Sequence, residues 1–493
     1  MPRPAIADLP SYRPGRSVEG SAKLSSNEQP FDPLPSVRAA LADAGARINR
    51  YPDHHATAVR EAVAARLHVP AECIAVGCGS VGLLQQLCLA YAGPGDEVAF
   101  GWRSFEAYPI MTTIAGAEAV TAPLVRDTID VGALRITERT KLVLLANPNN
   151  PTGTALDDSG LTAFLGDVPP TCLVVLDEAY REFVTRDDVV DGLARVKAHP
   201  NVVVLRTFSK AYGLAGLRIG YMVADPEVVA VVDKVLIPFA VNAVAQAAAL
   251  ASLAADDELH ERVAAVVAER TRVRRALFEL GYATPDSQAN FVWMPTVDVP
   301  GVVTRPFPEG MRVTIGTPEE NDRFLAGLPP ADDPTHASRV AAVLDRIDGV
   351  RARLPRLADT PRRGLTDPDP GGTERWDEGQ AWAHIGEFGR YWLVELDKVL
   401  ASDGAPFGRV KSDPARVRWI DGHRHDERRA HLTAAMRALD RLAHVVSSLS
   451  PEDWRRHGVH SKLGAMDVPR ILDEFLVGHY EEHADQLEKL DAG

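Results

Sequence analysis

Short apolar runs rich in β-branched residues recur through the first two thirds of the chain, and most of them end in glycine or a polar residue. The clearest are ECIAVGCGS, GDEVAFGW, TKLVLLANPNNPTG, TCLVVLDEAY, NVVVLRTFSK and LRIGYMV. Stretches with helical spacing, such as SVGLLQQLCLAYA and LTAFLGDV, lie between several of them. Because the runs are apolar on both faces, they predict a mostly parallel sheet covered by helices, an α/β architecture. Ligands bind at the carboxyl ends of such strands, so the polar residues there are the candidate site.

The composition changes near residue 329, where GLPPADDPTH forms a Pro/Asp break. Beyond this break we expect no strands, only amphipathic helices separated by loops rich in Pro, Gly and Asp. The predicted helices are Ala337 to Leu354, Glu374 to Leu400, Asp426 to Val446 and Val468 to Leu490. This part of the chain is therefore predicted to be an all-α four-helix bundle.

Length and charge limit the classes of function. A chain of 493 residues is too long for one ordinary core. A net charge of −14 argues against nucleic acid or an anionic membrane as the main partner. No apolar run approaches the roughly 18 residues of a membrane span, and the N-terminal residues lack the pattern of a signal or transit peptide. We expect a cytoplasmic protein whose four cysteines, without a CxxC pair, are reduced.

Lys210 carries the sharpest chemical signal, because it follows the apolar run NVVVLRTF. A desolvated lysine loses its charge readily and becomes a nucleophile toward aldehydes. A single lysine of this kind is more often a surface residue whose stem covers apolar neighbours. Its companions favour a site, since Asp177 and Tyr180 end one apolar run and Asn150 ends another.

Pyridoxal phosphate requires this combination of groups. A carboxylate pairs with the ring nitrogen, which Asp177 can supply, and Asn150 and Tyr180 suit the ring oxygen. The stretch VGCGSVG offers backbone amides at a helix start for the phosphate. The hydroxyls of Thr207 and Ser209 and the cation of Arg218 complete this group.

The same glycines allow a second interpretation. Gly77, Gly79 and Gly82 fit GxGxxG, a dinucleotide-binding pattern. No convincing acidic residue follows about 20 positions later, and the pattern leaves Lys210 unexplained. We therefore favour the pyridoxal-phosphate interpretation.

Eight sequence blocks, in order, resemble fold-type I pyridoxal-phosphate aminotransferases, in particular the histidinol-phosphate and aromatic amino acid aminotransferase group. They are KLSSNEQPFDPLP, NRYPD, GWRSFEAYP, NPNNPTGT, DEAYREF, RTFSKAYGLAGLRIGY, QANFVW and MRVTIGTPEEND. The resemblance covers about residues 5–328. It implies an aminotransferase over residues 1–329, with a large domain at about 45–235 and a small domain formed by the N-terminal segment and about 240–329.

The resemblance also implies roles for individual residues. Lys210, Asp177 and Tyr180 would be catalytic, with Lys210 bonded to the cofactor and moving the substrate's Cα proton. The residues implied to bind the cofactor are Gly79, Ser80, Val81, Phe105, Asn150, Asp177, Tyr180, Thr207, Ser209, Lys210, Arg218 and Tyr51. Those implied to bind substrate are Arg312, at the α-carboxylate, with Asn27, Tyr108 and Asn150. Phe105 would stack on the ring, with Tyr108 as a second candidate, and Tyr51 would reach the phosphate of a second subunit in a homodimer.

The implied reaction is transamination between an amino acid, either aromatic or histidinol phosphate, and a 2-oxo acid such as 2-oxoglutarate. One departure from the group concerns the segment TVDVPGVVT, where the family usually carries a further helix. Two alternatives stay open. A decarboxylase of the same fold would use the same cofactor residues, because the pocket decides which Cα bond breaks. A binding or regulatory fusion would carry a vestigial aminotransferase half.

Nine of the 15 histidines lie after residue 371. His479 and His483 are four apart on a predicted helix and share one face, and His384 could add a third ligand. Three imidazoles with an open position suit a divalent metal such as Zn or Ni. HYEEH also fits the HxxEH of some zinc peptidases, but their further acidic ligand would need more chain than follows. Surface histidines without a metal are the plainer alternative.

The stretches ERWDEGQAWAHIGEF and VPRILDEFLVGHYEEHADQLEKL resemble DinB-like metal-binding four-helix bundles. The resemblance covers about residues 335–493. It implies a metal held by one histidine of the second helix and two of the fourth, in a domain that either handles thiols or has only an assembly role.

Overall fold

The computed structural model describes residues 3–9, 15, 17–189, 191–331, 334–367 and 375–492. Packing divides the chain into two compact units. The first comprises Met1–Thr185 and Val189–Ala331, and the second comprises Arg186–Asp188 and Asp332–Gly493. Each unit is described by itself below. Glu374, the predicted start of the second bundle helix, lies outside the described residues.

The first unit is built on an eight-stranded sheet. Its strands, with the short pairs of the same unit, are β1 Ala22–Lys23, β2 Ile74–Gly77, β3 Glu97–Trp102, β4 Glu118–Val125, β5 Thr128–Ile129, β6 Thr140–Ala146, β7 Leu173–Asp177, β8 Val202–Thr207, β9 Gly220–Val223, β10 Phe291–Met294, β11 Val302–Val303, β12 Arg305–Phe307 and β13 Gly310–Thr314. The sheet order is β2-β9-β8-β7-β6-β3-β4-β5. Neighbours from β8 through β4 pair in parallel, whereas β9 is antiparallel to both β2 and β8. The predicted mostly parallel α/β architecture is confirmed.

The first unit also contains α-helices, several of which pack on this sheet. They are α1 Pro4–Ala7, α2 Pro35–Gly45, α3 Thr57–Leu67, α4 Gly79–Tyr91, α5 Ala107–Ala115, α6 Asp158–Asp167, α7 Gly192–Ala198, α8 Pro226–Lys234, α9 Ala243–Ala254, α10 Asp256–Glu279 and α11 Pro318–Ala326. Alternate residues of β7 enter different cores, with Val174 and Leu176 in one and Leu173 and Val175 in the other. Burying each such side chain contributes about 1.5–3 kcal/mol. Both faces of the sheet are therefore buried, as continuous apolar runs require.

A smaller antiparallel sheet, in the order β10-β13-β12, lies in the same unit. Arg312 of β13 pairs in register with Trp293 of β10 and Arg305 of β12. No helix occurs in the described chain between Met294 and Val302, which is where the resemblance implies a further helix. The segment there runs as a loop into β11, which pairs with β1 near the N-terminus.

The second unit is mainly helical. Its elements are α12 Pro334–Asp359, β14 Arg362–Arg363, α13 Glu378–Ala401, β15 Pro406–Phe407, α14 Pro414–His423, α15 Arg428–Ser447, β16 His457–His460, β17 Gly464–Asp467, α16 Val468–Phe475, α17 Val477–Glu488 and β18 Asp491–Ala492. Helices α12 and α13 each pack against α15 and α17, which gives a four-helix core. Within the described ranges of the chain, no helix is both long and apolar enough to cross a lipid bilayer.

Three details of the second unit differ from the prediction. The last predicted helix is two, α16 and α17, because Leu476 leaves helical geometry with φ −124° and ψ −90°. Helix α14 was not predicted, although Asp413 caps the amides of Ala415 and Arg416 and Pro414 occupies the first turn. Short strands also occur where none was expected, in the pair β14-β18 and the sheet β15-β16-β17. Strands of two to four residues are too short to give a clear alternating pattern.

Candidate active site

Three parallel strands of the large sheet deliver polar side chains to one cavity of about 370 Å³. Asn150 follows β6, Asp177 ends β7, and Lys210 follows β8. The predicted site residues that line this cavity are Asn27, Ser80, Val81, Phe105, Asn150, Asp177, Tyr180, Thr207, Ser209, Lys210, Arg218 and Arg312. The cavity thus lies at the carboxyl ends of parallel strands, as expected for this architecture.

Lys210 reaches the cavity as a weakly basic amine. Its Nζ donates a hydrogen bond to the carbonyl oxygen of Ser26 at 3.2 Å. Burial lowers the pKa of Lys210 from its ordinary value to about 7, and the positive charge of Arg312 lowers it further in the same direction. A substantial fraction of the amine is therefore neutral at physiological pH and able to attack an aldehyde.

Asp177 is buried below the cavity, with a different environment for each carboxylate oxygen. The hydroxyl of Tyr108 donates to Oδ2 at 3.3 Å. Oδ1 is buried and has no hydrogen-bond partner among the described residues. Burial raises the pKa of Asp177 to about 6 despite the hydrogen bond from Tyr108. A buried oxygen of this kind is suited to a cationic N–H group of a ligand.

Arg312 also lines the cavity, and two hydrogen bonds fix its orientation. Its Nη1 donates to Oδ1 of Asn150 at 2.5 Å, and its Nη2 donates to the carbonyl oxygen of Ser25 at 2.7 Å. The guanidinium also lies 5.5 Å from the ring centre of Phe291. Because Oδ1 of Asn150 accepts from Arg312, the amide nitrogen of Asn150 is directed elsewhere and can donate.

The N-terminus of α4 and the segment around Arg218 form an anion-binding corner. Gly79 begins α4 with φ +73°, and a Cβ there would lie 2.7 Å from Nη2 of Arg218. The guanidinium of Arg218 donates to Oγ of Ser209 at 3.3 Å. Helix N-termini bind phosphate through their free backbone amides, and the missing Cβ of Gly79 allows this cation to approach them.

Three predicted site residues, Gly79, Tyr108 and Tyr51, lie outside the cavity lining. The structure corrects the substrate and stacking roles given to Tyr108, because its side chain is completely buried and its hydroxyl contacts Asp177 instead. Phe105 lines the cavity, and its stacking role stays a prediction. Tyr51 is 83% exposed and stacks on Phe239 with ring centres 4.5 Å apart. Within one chain, Tyr51 contributes nothing to the cavity.

Sequence reasoning missed an ion pair at the cavity. Arg305 and Glu106 both line it, and Nη2 of Arg305 donates to Oε2 of Glu106 at 2.7 Å. Neighbouring Ile110 and Met111 give this region an apolar wall. Arg305 stands in the stretch RPFPEGMRV, but no pattern there indicates that it meets a residue 199 positions away.

The second unit brings together the three histidines that the sequence singled out. The Nε2 atoms of His384 and His479 are 3.1 Å apart, as are those of His483 and His479. His384 comes from α13, and the other two come from α17. All three ligand atoms lie within 4.8 Å of one another. Burial lowers the pKa of His384 well below its usual value, so this imidazole is neutral.

A polar group holds the outer ring nitrogen of His483, and carboxylates lie near those of His479 and His384. Nδ1 of His483 donates to Oε1 of Gln486 at 2.7 Å. Nε2 of His483 is then the unprotonated ring nitrogen, and its lone pair faces the cluster. Carboxylate oxygens lie 3.6 Å from Nδ1 of His479, at Glu482, and 4.0 Å from Nδ1 of His384, at Glu387. Such outer partners orient metal-binding histidines in proteins.

Comparison with known protein families identifies one that matches the part of the chain containing the cavity. Residues 20–328 match the family described as aminotransferase class I and II. The chain belongs to this family. The aminotransferase unit contains the entire cavity, and the predicted pyridoxal-phosphate-dependent enzyme class is confirmed.

The similarity to known relatives extends over nearly the full length of those relatives. An aromatic amino acid aminotransferase of Thermobifida fusca is 55% identical over 340 residues, covering 66% of this chain and 95% of the relative. One from Mycobacteroides abscessus is 53% identical over 336 residues, with 66% and 96% covered. The crystal structure of a histidinol-phosphate aminotransferase from Sinorhizobium meliloti, in complex with pyridoxal 5′-phosphate, has a TM-score of 0.61 at 31% identity, covering 66% of this chain and 96% of that chain.

The residues of this chain fit pyridoxal phosphate on their own geometry. Oδ1 of Asp177 is a buried acceptor without a partner among the described residues, as the ring nitrogen requires. Gly79 leaves room for the cation of Arg218 beside a helix N-terminus, which suits the phosphate. Lys210 supplies an amine of lowered pKa between them.

Proposed function

We propose that the aminotransferase unit exchanges the amino group between an aromatic amino acid and a 2-oxo acid such as 2-oxoglutarate. The observation that carries this proposal is the placement of Lys210, Asp177 and Arg312 around one cavity. When bound, pyridoxal phosphate supplies an electron sink for the negative charge that develops at the substrate Cα. All other functions fall to the residues of the chain.

Each of these residues has one task in the proposal. Asp177 holds a proton on the ring nitrogen through its buried Oδ1, and this contact is stronger because the site excludes water. The amide nitrogen of Asn150 and the hydroxyl of Tyr180 donate to the ring oxygen. Lys210 takes the proton from the substrate Cα and returns it on the other side of the exchange. Arg218, Ser209 and the start of α4 bind the phosphate.

Arg312 decides which bond at Cα is broken. Its two-nitrogen fork is fixed by Asn150 and the carbonyl of Ser25 and suits a substrate α-carboxylate. A carboxylate held there stays away from the direction of cleavage, so the Cα–H bond is the one presented to Lys210. This supports transamination over decarboxylation, the alternative on the same fold.

Two kinds of side chain have suitable surroundings in the cavity. Phe105, Ile110 and Met111 give an apolar wall for an aromatic ring. Arg305 can exchange its contact with Glu106 for the distal carboxylate of glutamate or 2-oxoglutarate. Names of relatives more than 50% identical also favour an aromatic substrate over histidinol phosphate.

Substrate profiling tests this proposal. The purified protein, loaded with pyridoxal phosphate, is given phenylalanine, tyrosine, tryptophan or histidinol phosphate with 2-oxoglutarate, and glutamate and carbon dioxide are measured. We expect glutamate from the aromatic amino acids at a kcat/KM at least about tenfold above that for histidinol phosphate. Release of carbon dioxide with no glutamate would favour the decarboxylase, and neither product would favour the vestigial enzyme.

A homodimer is part of the same proposal. Tyr51 and Phe239 form an exposed stacked pair on one chain, and such a surface is suited to a second copy. In that copy Tyr51 would complete the phosphate corner beside Arg218. Sedimentation of the parent and of Tyr51→Ser measures the assembly, and we expect a dimer. We also expect the affinity for pyridoxal phosphate to be lower in Tyr51→Ser than in the parent.

The cytoplasmic location stays a prediction.

We also propose that the second unit, which resembles DinB-like bundles, binds a divalent metal such as Zn or Ni. With metal–nitrogen bonds of about 2.0–2.1 Å, two ligand nitrogens on one ion lie about 3.0–3.4 Å apart. The observed separations of 3.1 Å support this geometry. Three imidazoles leave at least one position for water or a substrate atom.

Metal analysis tests the histidine site. We expect about one equivalent of metal in the parent and in His457→Ala, and a loss of that metal in His479→Ala. His457 is a suitable control because it is an exposed histidine of the same unit. Equal metal content in both variants would contradict the proposal and leave an assembly role for the unit.

A further inference from the structure

Three consecutive residues near the N-terminus each contact a different functional group of the cavity. The carbonyl of Ser25 accepts from Arg312 and that of Ser26 accepts from Lys210. The third residue, Asn27, donates from Nδ2 to the hydroxyl oxygen of Tyr180 at 2.8 Å. The first two contacts use backbone atoms, whereas the third depends on the identity of a side chain.

The direction of the contact between Asn27 and Tyr180 is fixed by Thr314. Oγ1 of Thr314 accepts from the backbone amide of Asn27 at 2.9 Å, so its single proton is available for another partner. That proton is donated to Oδ1 of Asn27 at 3.0 Å. The carbonyl end of the side chain therefore faces Thr314 and the amide nitrogen faces Tyr180.

The backbone around Asn27 holds this residue in place for its hydrogen bond to Tyr180. Asn27 is 1% exposed and has φ +53°, a left-handed conformation that asparagine tolerates better than most residues. Its carbonyl accepts from Nδ2 of Asn290 at 3.2 Å. The ring of Tyr180 packs edge-on against Phe291, with ring centres 5.1 Å apart. Both partners of the hydrogen bond are thus immobilised by packing.

We propose that Asn27 is a positioning residue that makes Tyr180 a hydrogen-bond donor toward the ring oxygen of the cofactor. An amide nitrogen can only donate, so the proton of the Tyr180 hydroxyl cannot point toward Asn27. It is directed to another acceptor, and the cavity that both residues line is where the ring oxygen would lie. This inference rests on the proposed aminotransferase function and deepens it.

The expected signature is spectroscopic. A hydrogen-bond donor to the ring oxygen stabilises the negative charge on that oxygen. Without the donor, this charge holds the proton more tightly on the nitrogen that joins Lys210 to the cofactor. Loss of the donor therefore raises the pH at which the absorbance of the bound cofactor changes, by about one pH unit. A residue with only a structural role would not move this midpoint.

The experiment titrates the bound cofactor in four proteins: the parent, Asn27→Ser, Tyr180→Phe and the double variant. Each single variant should raise the midpoint, and the double variant should match Tyr180→Phe, because Asn27 acts through Tyr180. Gln29→Ala is the matched control, since Gln29 joins the same segment to the carbonyl of Ala211 without touching Tyr180; its midpoint should equal that of the parent.

Other outcomes separate the two proposals. An unshifted midpoint in Asn27→Ser, or shifts that add in the double variant, would overturn the role of Asn27 while leaving the enzyme intact. Absence of bound cofactor in the parent would overturn the proposed function itself. If Asn27→Ser fails to fold, Asn27→Asp takes its place. Its carboxylate would accept the Tyr180 proton, and the Tyr180→Phe background shows how much of its shift passes through the tyrosine.

Discussion

The hydroxyl of Tyr108 donates to Oδ2 of Asp177 at 3.3 Å, whereas Oδ1 is buried without a hydrogen-bond partner among the described residues. A side chain that the sequence assigned to substrate thus supports the carboxylate that the cofactor ring requires. Because this hydrogen bond lowers the pKa of Asp177 against the effect of burial, it helps to keep the carboxylate ionised at neutral pH.

Removing this hydroxyl should weaken cofactor binding. In Tyr108→Phe we expect the Kd for pyridoxal phosphate to rise at least about tenfold, the effect of one hydrogen bond to a charged group. Fluorescence titration of the apoprotein measures it. Tyr282→Phe, which loses a hydroxyl bonded to the carbonyl of Pro329 outside the cavity, should bind like the parent. Equal affinities in all three proteins would show that Tyr108 does not support Asp177.

Attachment of the cofactor should depend on pH through Lys210. Only the neutral amine attacks the aldehyde, so the attachment rate should rise with pH and level off above about 7. Replacing Arg312 by alanine removes a positive neighbour, which favours the protonated amine and moves the midpoint upward. Stopped-flow absorbance measures both profiles. A midpoint near the ordinary lysine value in the parent would contradict a desolvated Lys210.

Arg305 should discriminate between the two substrates of the exchange. In Arg305→Met we expect kcat/KM for glutamate to fall at least about tenfold, because its distal carboxylate loses a charged partner. The value for phenylalanine should change less than about threefold. Glu106→Gln is the companion variant: it removes the charge that competes for Arg305 and should leave glutamate turnover equal or higher. Parallel losses for both substrates would mean that Arg305 is structural.

Metal binding should stabilise the second unit. The ion would join α13 to α17 through three imidazoles, and a ligand that binds only the folded state raises its stability. Chelation should therefore lower Tm of the parent but not of His479→Ala. Differential scanning calorimetry measures this, and restoration by added Zn²⁺ is the control for damage by the chelator. An unchanged Tm with metal demonstrably removed would contradict a structural contribution.

The strand ends of the first unit could be read from the sequence because buried parallel strands leave long apolar runs. Asn150, Asp177 and Lys210 each follow such a run, and the sheet topology brings them together. The carbonyls of Ser25 and Ser26 could not be found in this way. They act through backbone atoms and meet partners more than 180 positions away, so no side-chain pattern marks them.

The same reasoning explains the errors. Tyr108 lies three positions after the predicted stacking residue Phe105, but at the start of α5 its side chain is buried and its hydroxyl donates to Asp177. Gly478 lies two positions after the break at Leu476, and a Cβ there would clash with the carbonyl oxygen of Asp473. A single glycine is tolerated within a helical pattern, so α16 and α17 read as one helix. The histidine cluster could be predicted because His479 and His483 share a helix face and the resemblance implies His384 as the third ligand, which the packing of α13 against α17 brings to the other two.

Reductive trapping of the cofactor tests the central claim most directly. The purified protein is incubated with pyridoxal phosphate, reduced with borohydride, digested and analysed by mass spectrometry. The account predicts one modified site, at Lys210, which is absent in Lys210→Ala and when the reaction is kept well below pH 7. Modification of surface lysines alone, or an unchanged Lys210 peptide, would contradict the claim that this lysine holds the cofactor.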